Sequence, residues 1–129
     1  MRTASYVIQA GSRFCVSTTS IGRQAEDAAA DYLKQNGYKI LDQNWRTRWC
    51  EIDIVAQKGK IISFVEVKYR KSTDFGGGLE YITPKKQQQM AFAAEFWVSS
   101  NKWKGDYNLS AVEVTGLKFE ITEFLEGIL

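Results

Sequence analysis

The sequence predicts an α/β domain, and three observations carry that expectation. Apolar residues recur at helical spacing between Gly22 and Asn36, three segments of strand-like character follow between Tyr38 and Tyr69, and Thr83-Pro84 opens a second helical stretch before a final alternating pair. The order is helix, three strands, helix, two strands. With 129 residues, 44% hydrophobic and 25% charged, the chain suits one folded domain with its own core.

Each element has a local reason. Ala25, Ala28, Ala29, Tyr32 and Leu33 follow the i, i+3, i+4, i+7, i+8 pattern, and at about 100° per residue they span an arc of about 140°. Glu26 falls about 20° outside that arc on the same helical wheel, whereas Asp27 points to the opposite, wet side. Asn36-Gly37 supplies the helix stop. The strands are Tyr38 to Trp45, Trp49 to Ala56 and Ile61 to Tyr69; Gln57-Lys58-Gly59-Lys60 joins the last two as a tight hairpin. Antiparallel neighbours leaving one turn keep step, so Asp53 is expected close to Glu66.

The triple glycine of Ser72 to Gly78 fits neither a helix nor a strand, and a mobile loop beside the site is expected there. Thr83 then caps a helix with Pro84 at its first position, running to about Ser99. Met90, Ala93, Ala94 and Trp97 form its buried face, and Lys85, Lys86 and Gln88 crowd its first turns. Tyr107 to Val114 and Leu117 to Phe124 read as a closing β pair.

Composition removes many mechanisms. There is no histidine, which excludes Ser-His-Asp and Cys-His catalysis and every His-ligated metal site. Cys15 and Cys50 are too few for a four-cysteine zinc site and lack redox-motif spacing, so both are expected as reduced thiols in a cytoplasmic protein. No stretch reaches the roughly 18 apolar residues of a membrane span. The first twenty residues, with Arg2 and Arg13 and no acid, resemble a transit peptide in composition, but Ser5 to Ala10 is short for a signal core. Residues 1–20 are therefore expected as a flexible N-terminal extension, a targeting segment and an added strand being the alternatives. A net charge of +2 does not announce a nucleic-acid binder, yet basic residues cluster at Arg46 and Arg48, at Lys68, Arg70 and Lys71, and at Lys85 and Lys86.

The chemistry concentrates in Glu51-Ile52-Asp53 and Phe64-Val65-Glu66-Val67-Lys68. Strand periodicity sets Glu51 with Asp53 and Glu66 with Lys68 on one face each. Carboxylates from adjacent strands can hold a hard divalent cation, and an ammonium can steady a water or a phosphate oxygen. An acid-x-Lys triplet alone arises by chance about once in a chain of this size. Its context is an apolar strand, where an unpaired charge costs several kcal/mol unless it is paired or holds a metal. The plainer reading has Glu66 and Lys68 pairing with each other on a wet edge strand, and Glu51 as a solvent-side or salt-bridging residue near the end of its strand. Trp45 and Trp49 bracket the two arginines, suiting either base stacking or a core role.

Taken together, Gly22-x-x-x-Glu26, Asn44-Trp45-Arg46, Glu51-Ile52-Asp53, Phe64-Val65-Glu66-Val67-Lys68-x-Arg70 and Pro84-x-Lys86 resemble the bacterial YraN family. That family is grouped with the archaeal Holliday junction resolvases in the PD-(D/E)xK nuclease superfamily. The resemblance covers about Gly22 to Gly116 and implies a restriction-endonuclease-like αβββαβ core, a mixed central sheet flanked by helices, with residues 21–129 as one nuclease-like domain. It further implies catalytic roles for Glu26, Asp53, Glu66 and Lys68, with Asp53, Glu66 and Glu26 holding Mg²⁺ or Mn²⁺. Arg46, Arg48, Arg70, Lys71, Lys85 and Lys86 are expected to grip nucleic acid. Two positions depart from the family pattern: Cys50 stands where glycine is usual, and Asp106-Tyr107-Asn108 where Arg-Phe-Asp is usual. The expected function is metal-dependent hydrolysis of structured or branched DNA by a two-fold dimer, away from membranes. A non-catalytic nucleic-acid-binding module assisting recombination or DNA uptake is the alternative, and a ribonuclease a third reading.

Overall fold

The computed structural model describes residues 16–72 and 82–128. Its elements are α1 (Val16–Gln35), β1 (Lys39–Arg46), β2 (Glu51–Lys58), β3 (Ile61–Arg70), α2 (Pro84–Asn101), β4 (Asp106–Thr115) and β5 (Glu120–Leu125). The expected order is present throughout. Helix α1 starts six residues before Gly22, inside the stretch expected as an extension. Residues 1–15, Cys15 among them, and the triple-glycine loop lie outside the described residues.

The five strands form one sheet in the order β1-β2-β3-β4-β5. Three of the four pairings are antiparallel and β3 with β4 is parallel, which makes the sheet mixed. A parallel pair needs a long crossover, and α2 lies within it. The β2–β3 turn is tighter than the sequence suggested: Lys58 pairs with Ile61, leaving Gly59 and Lys60, and Gly59 adopts φ 63°.

Each helix covers one face of the sheet. Ala25, Ala29, Ala30 and Leu33 of α1 pack on Ile54, Ala56, Val65, Val112 and Val114. On the other face Met90, Ala93, Ala94 and Trp97 of α2 meet Val55, Ile62, Phe64 and Leu109. The small alanines let α1 approach the sheet closely, and Leu33 fills the remaining space with no exposed surface. Helix ends follow from their residues. Gly37 at φ 92° turns the chain so that Tyr38 N–H donates back to Leu33 O at 3.0 Å, and Thr83 Oγ1 accepts Lys86 N–H at 3.1 Å. The α2 helix runs two residues past the expected end, closing on Lys102 at φ 54°. The Tyr38 hydroxyl donates to Glu126, tying the C-terminal segment to the start of β1.

Leu33 should therefore carry much of the α1 docking energy. Leu33→Ala is expected to lower unfolding free energy by about 3 kcal/mol, read from the urea midpoint at unchanged slope.

Candidate active site

The site begins where β2 and β3 part. Their ladder runs from Lys58 with Ile61 to Ile54 with Val65 and goes no further. Asp53 and Glu66 would form the next rung. Instead, Asp53 Oδ2 accepts the Val67 N–H at 2.8 Å, so a side chain replaces the backbone partner. The break also rotates the strand. Ile54 and Ala56 belong to the α1 side, but Ile52 packs with Phe64 and Met90 on the α2 side. Strict alternation, from which Glu51 and Asp53 were expected on one face, does not pass through Asp53. On the neighbouring strand Asn44 takes φ 56°, between the Gln43–Ile54 and Trp45–Ile52 pairs. Asparagine tolerates that left-handed conformation better than most residues, which gives Asn44 of the Asn-Trp-Arg run a physical role.

Into this opening α1 brings Glu26, which is half-buried and close enough to Asp53 for the two carboxyls to influence each other. Asp27 is exposed, as the helical phase predicted, although its carboxylate still reaches β1 and accepts from Gln43 Nε2 at 2.8 Å. Burial is the largest influence lifting Glu26 above the ordinary carboxylate range, followed by the Asp53 charge and hydrogen bond. Burial likewise raises Asp53, followed by the Glu66 charge, while the Val67 N–H works in the opposite direction. Glu26 and Asp53 therefore titrate as a pair, both held above the ordinary carboxylate range.

A lysine completes the cluster, from α2 rather than β3. Lys86 Nζ lies 3.0 Å from Glu66 Oε2. Desolvation lowers its pKa, but Glu66 with Asp53 and Glu51 outweighs it, leaving the ammonium firmly charged. Lys68 is exposed, two residues beyond Glu66 on β3, in register with Glu113 of β4. Arg46 pairs with Glu51 at 3.3 Å on the surface. The Arg70 side chain is only 17% exposed and faces the buried Glu113 at 3.8 Å. Lys71 and Lys85 are exposed. Trp45 is half-buried against Phe96, whereas Trp49 is largely exposed and stacks on the same ring, with Arg48 above it. Phe92 and Phe96 drew no notice in the sequence, although their i, i+4 spacing beside the core positions of α2 was the available signal.

Three carboxylates from three elements provide hard oxygen donors of the kind that suit Mg²⁺ or Mn²⁺. Among the described residues no three such side chains already stand as a ligand set, and Glu66 is turned to Lys86. Burial first and the neighbouring acid charges second hold Asp53 and Glu26 up, and a bound cation would offset both effects, so the residues fit the metal in donor type and charge.

The profile of Uncharacterised protein family UPF0102 matches residues 25–121. The chain belongs to this family. UPF0102 is the YraN family of the resemblance, so that expectation holds. A UPF0102 protein of Vibrio campbellii is 42% identical over 93 residues, covering 72% of this chain and 75% of its own. One from Tropheryma whipplei is 40% identical over 119 residues, 88% of this chain and 97% of the relative. One from Caldicellulosiruptor saccharolyticus is 42% identical over 95 residues, covering 73% and 80%. The matched segment contains the whole acid cluster and Lys86. No helix among the described residues is long and apolar enough to cross a membrane.

Two outcomes follow from the charge balance. Because Asp53 and Glu26 hold protons more strongly in the fold than in the unfolded chain, the folded state binds more protons, and metal-free stability falls as pH rises above the ordinary carboxylate range toward and past neutrality. Asp53→Asn should raise the melting temperature at about pH 8, and Mn²⁺ should raise that of the wild type but not of the variant. Unchanged melting in both comparisons would dismiss the electrostatic account. In calorimetric titration with Mn²⁺, Asp53→Asn and Glu66→Gln should abolish the signal and Glu26→Gln should weaken it more than Asp27→Asn. Lys86→Met should tighten binding, since it removes the cation that competes for Glu66.

Proposed function

We propose that this protein is a metal-dependent endonuclease hydrolysing phosphodiesters of structured or branched DNA in the cytoplasm. The observation that carries the reading is the gathering of Glu26, Asp53 and Glu66 at the opening between β2 and β3, with Lys86 against Glu66. In this reading Asp53 and Glu66 hold Mg²⁺ and Glu26 supports them. The bound ion would polarise the scissile phosphate and make a water nucleophilic near neutral pH.

The remaining work belongs to the chain. Val67 N–H fixes the Asp53 carboxylate, removing one rotational freedom from the site before substrate arrives. Glu26, half-buried beside Asp53, would support the metal shell from the helix side. Lys68 orients the attacking water, following the resemblance, and Lys86 exchanges Glu66 for an oxygen of the incoming phosphate. Arg46, Arg48 and Lys85 hold flanking phosphates, giving salt-sensitive binding with little base readout. A two-fold dimer would present one site to each of two strands.

A second reading is favoured by one observation. Lys86 on Glu66, with Arg46 on Glu51 beside it, compensates part of the cluster's charge without a metal, as a non-catalytic nucleic-acid-binding module would require. The two readings separate on a panel of linear, nicked, flapped and four-way DNAs with Mn²⁺. Cleavage of a branched substrate that disappears in Asp53→Asn is expected, and Lys68→Ala should lower its rate at least ~100-fold with DNA affinity nearly kept. Binding without Asp53-dependent cleavage of any substrate would leave the binding module.

A further inference from the structure

Beside the acid cluster, a groove of about 670 Å³ runs between the β1–β2 turn and the first half of α2. Arg46, Trp49, Glu51, Lys85, Lys86 and Phe92 are among its walls. We propose that this groove seats an unpaired nucleotide, so that the DNA taken by the site has single-stranded character next to the phosphate to be cut. The proposal rests on the nuclease reading only for the position of that phosphate.

Two large rings are left in solvent here, Trp49 at 65% exposure and Phe92 at 52%. Both are braced by one ring: Phe96 stacks on Trp49 at 5.7 Å and 29° and meets Phe92 edge-on at 6.1 Å. Burial of apolar surface in the core does not require Trp49 or Phe92, yet bracing limits the rotamer entropy that either ring would lose on binding. Arg48 stands over the Trp49 ring at 5.3 Å from its centre, so a base that stacks there would take the place of the guanidinium and free that cation for its phosphate.

Charge decides the occupant. Arg46, Lys85 and Lys86 line the same groove as the aromatics, and this pairing of cations with ring faces matches a nucleotide's phosphate and base. A duplex offers the phosphates but keeps its base faces stacked away, leaving Trp49 and Phe92 with no partner. An acidic peptide offers carboxylates but no planar face. The volume lies within the roughly 300–1,000 Å³ of sites that enclose small ligands. Arg46, Glu51 and Lys86 belong both to this groove and to the surroundings of Glu26, Asp53 and Glu66. A base seated against Trp49 would therefore leave its own phosphate, or the next, at the opening between β2 and β3.

The test is equilibrium binding without metal, by fluorescence anisotropy of labelled DNA with EDTA present. Wild-type protein should bind a short oligo-dT more tightly than a blunt duplex of equal length. Trp49→Ala and Phe92→Ala should each weaken oligo-dT binding about 5–100-fold, the scale of one lost stacking contact, with duplex affinity unchanged and Trp49→Phe restoring most of the loss. An abasic oligomer should be bound equally by wild type and Trp49→Ala. Equal affinity of wild type for oligo-dT and duplex, unchanged oligo-dT binding in both alanine variants, or competition by poly-glutamate as strong as by oligo-dT would overturn the proposal. The measurement is independent of cleavage. Groove-dependent binding together with no Asp53-dependent hydrolysis would uphold the groove and reject the nuclease, and hydrolysis with unaltered binding in Trp49→Ala and Phe92→Ala would do the reverse.

Discussion

The bond from Val67 N–H to Asp53 Oδ2 is the interaction on which the site depends. A β-ladder satisfies backbone groups by keeping strands together, and a functional side chain between two closely paired strands has little room. Here a carboxylate takes over one backbone partner, so β2 and β3 can part without leaving that N–H unsatisfied. The opening then admits Glu26 from one side of the sheet and Lys86 from the other.

The cluster is also an economy of charge. Four acids, Glu26, Glu51, Asp53 and Glu66, influence one another at the end of an apolar sheet, where ionising all of them would be heavily penalised. Three different compensations are in place. Glu26 and Asp53 hold protons more strongly than free carboxyls, Glu66 meets Lys86, and Glu51 meets Arg46 in solvent. These are unequal in strength. The Arg46 pair is more than half exposed and adds little stability, while the Lys86 pair is partly sheltered and sits where an incoming phosphate or metal would compete for it.

Much of this was legible in the chain because it depends on local rules. Helix spacing placed Ala25, Ala29 and Leu33 inward and separated Glu26 from Asp27, and the β2–β3 turn put Asp53 level with Glu66. What escaped depends on tertiary geometry. The rotation between Ile52 and Ile54 follows from a side chain entering the ladder, which no period-two pattern encodes. Lys86 lies twenty residues beyond Glu66, so its contact with that carboxylate arises only when α2 packs on the sheet. Arg70 read as one more surface cation because its partner, Glu113, is on a strand that the sequence could order but not align. Trp49 and Phe92, each unremarkable alone, become neighbours only through Phe96.

The sheet's connectivity has a consequence for how the protein reaches this arrangement. Strands β1, β2 and β3 form an antiparallel meander whose partners are close in sequence, whereas β3 meets β4 only after the chain has passed through the whole of α2, with Ile61 beside Asp106. Closing the longer loop loses more chain entropy before any contact is gained. The meander is thus the segment favoured to organise first in folding, and it already contains Asp53, Glu66 and the Val67 N–H. Lys86 arrives with the crossover. During folding, the two strand carboxylates would meet before their neutralising ammonium is in place, so their mutual repulsion is relieved only when α2 docks on the sheet.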